Sequence, residues 1–249
     1  MNQYCIFKLL NFQFLKFSFF LLISLQSLAQ AAGESRLSVS VAGGSSLSLR
    51  TIYQELYDDD RGQLAGDGWA VQVGATYRFM KHIGITARVG YNQNQTRREG
   101  VTKIALYQYN ITNPDITQNT DWTGLSALVG PSFHAFTGRF VFEARALAGY
   151  AAVTGPQFEL NGVFAGRKVN VKTVTGNSRN LALGGGGTVR FKLSDAISIS
   201  INGDFIQSNS VFDNISSVVT SGGLTANPTS SLDQRVGFLN VMGGLQFNF

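Results

Sequence analysis

The sharpest local concentration of charge in this chain is Asp58-Asp59-Asp60, with Glu55 and Asp67 close by. Hard divalent cations prefer carboxylate oxygens, so the run reads as a candidate cation-binding loop, although its spacing is not that of a defined calcium loop. A solvated acidic loop would look the same. Ser132 and His134 stand two apart, hence on one face of any strand, with Glu143 a short way on. A nucleophile, a base and an acid are the parts of a hydrolase. The same trio also serves as interior packing, and its position beside a short turn favours packing. Arg97-Arg98 and Arg167-Lys168 suit lipid phosphates or hydrated loop tips equally well. Gly184-Gly185-Gly186-Gly187 lacks the following Lys-Ser/Thr and helix of a phosphate loop, and reads instead as a bend or a close strand approach. Cys5 is the only cysteine, and His82 and His134 are the only histidines. Disulfides, thiolate metal sites and Cys nucleophiles are therefore excluded, and two histidines leave little for His-rich metal sites. The expectation is no catalytic residue, no cofactor and no metal.

The elements that would position these residues come from composition and periodicity. Charged residues are 14% of 249, against the roughly 25% of an ordinary soluble domain. Mean hydropathy is +0.04, too low for a bundle of membrane-spanning helices. Residues 1–31 have the form of a cleaved secretory signal. Lys8 and Lys16 precede the apolar run 17–25, and Ala29-Gln30-Ala31 offers a small-x-small cleavage site. The remaining 32–249 is expected to be a single domain. It holds 18 Lys+Arg and 15 Asp+Glu, a net +3 with no basic cluster that would mark a nucleic-acid partner.

From residue 35 onward the pattern has period two. Trp69, Val71, Val73, Ala75, Tyr77 and Phe79 alternate with small or polar residues, and Ile83, Ile85, Ala87, Val89 and Tyr91 repeat the pattern. Similar runs cover about 35–50, 121–135, 140–151, 181–193, 197–205 and 235–249. That makes eight strands. Many reach ten residues or more, as membrane-spanning strands require. Short connections (near 80–82, 136–139 and 194–195) alternate with long polar ones (about 51–68, 95–120, 152–180 and 209–234). No helical periodicity is read for more than a turn or two, and residues 103–111 look like a β extension. Phe158, Leu160 and Phe164, then Val169 and Val171, suggest a hairpin turning at Ala165-Gly166-Arg167. It either prolongs the wall above the membrane or adds two spanning strands to make ten.

A sheet in hydrocarbon must close on itself, because lipid offers the backbone no hydrogen-bond partner. The fold class is therefore all-β: a closed antiparallel up-and-down transmembrane barrel with short periplasmic turns and long extracellular loops. Apolar faces point to lipid. The inward face carries Arg78, Arg88, Glu143, Arg145, Arg190, Lys192 and Asp204. In a lumen this narrow those charges are expected to form a paired network around Glu143 and Asp204.

The eight alternating strands, the loop asymmetry, the signal-like start and the terminal Leu245-Gln246-Phe247-Asn248-Phe249 resemble the small outer-membrane barrels of Gram-negative bacteria. These are the OmpA-type transmembrane domain, the OmpX-like proteins and the opacity-type barrels. The resemblance implies Sec-dependent export to the outer membrane, with Phe247 and Phe249 as the signal read by the barrel-insertion machinery. It also implies outer-membrane lipids and lipopolysaccharide as surroundings. The function expected is a non-catalytic barrel showing four long loops for adhesion, lipid or partner contact (a host surface included) and envelope integrity. A small passive pore is the first alternative, and a lipid A-modifying barrel enzyme is the second.

Overall fold

The computed structural model describes residues 36–48, 65–107 and 109–249. The signal-like segment 1–31 and the candidate cation loop Asp58, Asp59 and Asp60 lie outside the described residues. In chain order the strands begin with β1 (Leu37–Ser48), β2 (Ala65–Arg78) and β3 (Ile83–Thr96). Helix α1 (Arg98–Tyr107) follows, then β4 (Thr112–Asn119), β5 (Trp122–Thr137), β6 (Phe140–Thr154), β7 (Gln157–Phe164) and β8 (Arg167–Val174). The chain continues with β9 (Asn177–Lys192), β10 (Ile197–Ser221), β11 (Leu224–Ala226) and β12 (Thr229–Asn248).

Eight of these strands form a ring, β1-β2-β3-β5-β6-β9-β10-β12, closed where β12 pairs both β10 and β1. All neighbours in the ring are antiparallel. The register path Leu37–Tyr77–Ile85–Pro131 passes to Ala146 by the constant β5–β6 offset. It then runs Gly185–Phe205–Leu239–Leu47, a stagger of ten residues per circuit. With ordinary strand spacings, eight strands and that stagger give a tilt of about 41° and a backbone radius of about 8 Å. Side chains fill a tube of that width.

The alternation read from sequence holds in the ring. Val73, Val89, Leu125, Val129, Leu183, Ile199, Ile201 and Val241 are exposed on its outside, while Thr86, Arg88, His134, Glu143 and Asp204 are buried within. Aromatic residues bracket the apolar band: Tyr77, Phe133, Phe140 and Phe142 at the short-turn end, Trp69 and Tyr150 at the other, all exposed. Ten residues separate Phe140 from Tyr150, which at this tilt is a band about 25 Å tall, the height of an outer-membrane barrel's apolar belt.

The wall is lopsided. Four strands continue beyond the band, keeping their offsets across the break, although β4 shifts register against β7 further out, between Thr112 and Asp115 and between Ile116 and Gln118. Thr154 faces Asn177 and, three residues on, Gln157 faces Val174, so β7 and β8 prolong β6 and β9. Asn119 likewise faces Phe158 in the offset that pairs Thr123 with Thr154, so β4 prolongs β5. The strand breaks at Thr120-Asp121, Gly155-Pro156 and Thr175-Gly176 therefore align in one row. Threonines stitch that row. Thr175 Oγ1 donates to the Pro156 carbonyl at 2.6 Å, Thr120 Oγ1 accepts from the Gln157 N–H at 2.8 Å, and Thr96 Oγ1 donates to the Thr120 carbonyl at 2.7 Å. Above the row, β10-β8-β7-β4 form a sheet.

This extension decides one alternative and corrects one expectation. The ring has the eight strands read from the sequence, and the alternative of ten does not hold. The hairpin does turn at Ala165-Gly166, both with positive φ (48° and 77°) as a two-residue type I′ turn needs, but β6 and β9 pair directly along their whole length beneath it. Residues 98–107 form a helix, where the sequence was expected to hold no helix and 103–111 to extend the sheet. Val101 and Ala105, four apart and buried, place one face of α1 on Ile111, Ile116, Leu160 and Val169, with Phe158, Val171 and Val219 against the cluster. A short segment of mixed propensity takes the conformation that buries its apolar stripe. Along their strands, Leu160 and Val169 hold the same parity as the lipid-facing Tyr150 and Leu181 below. Where lipid ends, the helix covers that face.

Candidate functional site

Inside the ring the side chains form layers, and the strand offsets set their heights. Nearest the short turns, Glu143 on β6 gathers three arginines from three strands. Arg190 Nη2 on β9 lies 2.9 Å from its Oε2, Arg145 Nη1 on the same strand 3.2 Å from its Oε1, and Arg88 Nη2 on β3 3.6 Å from Oε1. Arg145 also donates through Nε (2.9 Å) and Nη2 (2.5 Å) to Asp204 Oδ1 on β10. A relay of neutral groups completes the layer. Arg145 Nη1 donates to Thr188 Oγ1 at 2.6 Å, Thr188 donates to Asn202 Oδ1 at 2.7 Å, and Arg88 Nη1 donates to Gln72 Oε1 at 2.6 Å. Gly186 makes room, since a Cβ there would overlap the Asp204 carboxylate. Arg78 lies toward the inner mouth. Its guanidinium lies 5.2 Å from the Phe136 ring centre, and Lys192 Nζ lies 5.8 Å from the same ring.

Ser132, His134 and Glu143 do come together. Ser132 Oγ is 3.0 Å from His134 Nε2, and His134 Nδ1 is 3.8 Å from Glu143 Oε2. The arrangement lacks the base a hydrolase needs. Arg190 Nη2 donates to His134 Nδ1 at 3.0 Å, so Nδ1 is the acceptor and the ring proton sits on Nε2, facing Ser132. That tautomer donates to the hydroxyl and cannot take its proton. The ring is fully buried.

Higher in the lumen Asn92 Nδ2 donates to Asn240 Oδ1 at 2.6 Å and to Ser46 Oγ at 2.9 Å. Ser46 in turn donates to Asn94 Oδ1 at 3.1 Å. Facing these amides are Leu128, Leu147, Ala151, Ala182 and Ile206. The outer end is closed by Ala65, Trp122, Val153, Phe212, Val236 and Phe238, with Trp122 edge-on to Phe212 at 6.0 Å. A small gap of about 10 Å³, about the size of one water, lies there beside Ser126, Ser208 and Phe238. This apolar layer was not read from the sequence. Its signal was present: Trp122, Leu128 and Leu147 are large apolar residues on the face otherwise given to Gly, Ser and Glu. Of the remaining candidates, the exposed Arg97-Arg98 flank the start of α1 and Arg167-Lys168 open β8 at the hairpin turn. Phe247 lies on the outer face of β12, and the Phe249 N–H bonds to the Leu37 carbonyl at 2.8 Å.

A closed ring with an exposed apolar band and a buried polar interior defines a class, the integral outer-membrane β-barrel. No helix among the described residues is long and apolar enough to cross a bilayer. No protein-family model and no curated protein matches the chain. Solved structures similar to it include Ail, the attachment invasion locus protein of Yersinia pestis, at 14% identity and TM-score 0.45, spanning 87% of this chain and 99% of Ail. Neisserial surface protein A is similar at 9% identity and TM-score 0.44, spanning 88% and 100%. A major outer membrane protein of Thermus thermophilus is similar at 12% identity and TM-score 0.43, spanning 86% and 98%.

Proposed function

We propose that this chain is a non-catalytic outer-membrane barrel whose working part is the wall extension and helix displayed outside the membrane, for contact with other surfaces and for envelope integrity. The observation that carries the reading is the filling of the lumen. Among the described residues a charge-paired layer fills the inner half and an apolar layer the outer end, which argues against passage of a solute or entry of a substrate. The chain instead spends α1, β4, β7, β8 and the outer half of β10 on a helix-backed sheet beyond the bilayer. Phe247 and Phe249 are assigned to recognition by the insertion machinery, and lipopolysaccharide to the surroundings of the extension.

Single-channel recording of residues 32–249 refolded into a planar bilayer tests this reading. The expected result is a folded barrel without steady conductance. Sustained, reproducible conductance would overturn it in favour of the passive pore. Cells expressing the Ser132→Ala and His134→Ala variants are expected to show an unaltered lipid A pattern relative to cells expressing the unsubstituted chain. A change in that pattern would restore the enzyme reading.

A further inference from the structure

Basic residues gather at the inner end of the barrel, beside the lumen network. Five basic residues surround the inner mouth. Arg36 precedes β1, Arg78 ends β2, Lys81 lies in the first short turn, Arg139 in the second, and Lys192 ends β9. Backbone bonds tie them to one rim: the Arg78 N–H donates to the Arg36 carbonyl at 2.8 Å, and the Lys192 N–H to the Arg139 carbonyl at 2.9 Å. Arg36, Lys81 and Arg139 are exposed. Among the described residues the one acidic side chain on these turns is Asp195. Among the described residues, the inner end and the layer above it hold eight basic and three acidic side chains, and the remainder holds eight basic and seven acidic. The positive excess of the described residues is therefore concentrated inward.

The depth of this rim says what it meets. Phe79 lies between Arg78 and Lys81, Phe140 follows Arg139, and Phe191 precedes Lys192. Aromatic residues at the ends of spanning strands mark the membrane–water interface. The rim thus sits in the phosphate plane of the inner leaflet. Guanidinium forks and ammonium groups at that depth are donors matched to phosphate oxygens. We propose that this basic rim binds the phosphate-bearing headgroups of anionic phospholipids in the inner leaflet. The proposal is independent of the display function and stands on the orientation of the barrel.

The test is lipid retention. The refolded chain is reconstituted in mixed phosphatidylethanolamine and phosphatidylglycerol, extracted in mild detergent, and its co-purified lipid compared with the bulk. Phosphatidylglycerol is expected to be enriched. The Lys81→Gln/Arg139→Gln double variant, altered only on exposed turns, is expected to lose about fivefold of that enrichment per charge removed. The Arg167→Gln/Lys168→Gln double variant, which removes the same charge at the far end, is expected to keep it. Heat-shifted gel migration confirms that each variant is folded. Equal retention of the two lipids would overturn the proposal. So would an equal loss in the far-end variant, because net charge alone would then explain the enrichment. Inorganic phosphate in the extraction buffer separates the two sources of the ligand chemistry. Retention that survives it supports a lipid headgroup, and complete displacement at millimolar phosphate would reassign the rim to a soluble phosphate.

Discussion

The strands that cross the membrane and the strands that rise above it are the same strands, and they obey opposite rules. In the membrane band Leu183, Ile199 and Ile201 stand exposed on the outer face while Glu143 and Asp204 are buried within. Above the row of breaks, the positions that continue the lipid-facing parity, Leu160 and Val169, are buried beneath α1. The other face there is polar: Asn170 Nδ2 donates to Glu159 Oε1 at 3.0 Å and to Asn161 Oδ1 at 2.8 Å. Register is unchanged across the break, so the backbone is not what differs. The surrounding medium differs. Hydrocarbon accepts an apolar face as it is, whereas water requires that face to be covered.

The largest effect expected within this comparison comes from the lumen. Glu143→Ala leaves Arg88, Arg145 and Arg190 facing one another without their shared carboxylate, and breaking a buried pair costs about 3–5 kcal/mol. The urea midpoint of the refolded barrel in vesicles should fall accordingly, and an unchanged midpoint would show that the arginines find other partners. A charge on the band should cost almost as much and one on the extension almost nothing. Ile201→Arg at mid-membrane is expected to lose about 2–4 kcal/mol, and Val218→Arg, partly exposed on the extension, under about 0.5 kcal/mol. Similar losses at the two positions would mean that both meet the same solvent. Leu160→Ala should loosen the extension by about 2 kcal/mol while sparing the ring. Proteolysis would then nick residues 98–107 or 157–174 and leave the band protected; simultaneous loss of both regions would make them one cooperative unit. The smallest effect is expected from Gly166→Ala. Its φ of 77° disfavours a side chain by about 1 kcal/mol, read as faster amide exchange confined to β7 and β8.

Legibility in the sequence followed the same division. Strands between two uniform media, lipid outside and a polar lumen inside, write a clean period of two, and the membrane-spanning parts of the ring could be read from it, whereas the outer reaches of β10 and β12, within 209–234, read as a polar connection. The lumen charges could be named because Arg and Glu on the inward parity have no other place to go. Their pairing geometry could not, since it depends on offsets between strands such as β3 and β6, far apart in the chain. Trp122, Phe212 and Phe238 were passed over because an apolar residue facing inward breaks the simple alternation without announcing a partner. Helix α1 was illegible for a physical reason. Arg98–Tyr107 has little helical signal of its own, and what fixes it is an apolar sheet face that exists only once β4, β7 and β8 have formed.

The closing seam of the ring has a consequence for how the protein comes into being. β1 pairs with β12 through contacts such as Ser40 with Gln246, which join the two ends of the described chain. The hairpin of β6 through β9 needs only neighbouring residues to zip. Contacts of long sequence separation carry the larger loop-closure entropy and form late. Until the last strand is delivered, β1 and β10 remain open edges, and each can recruit a stray strand from another copy. A chain cut short before residue 229 is therefore expected to aggregate rather than form a smaller barrel, which light scattering of the refolded truncation checks.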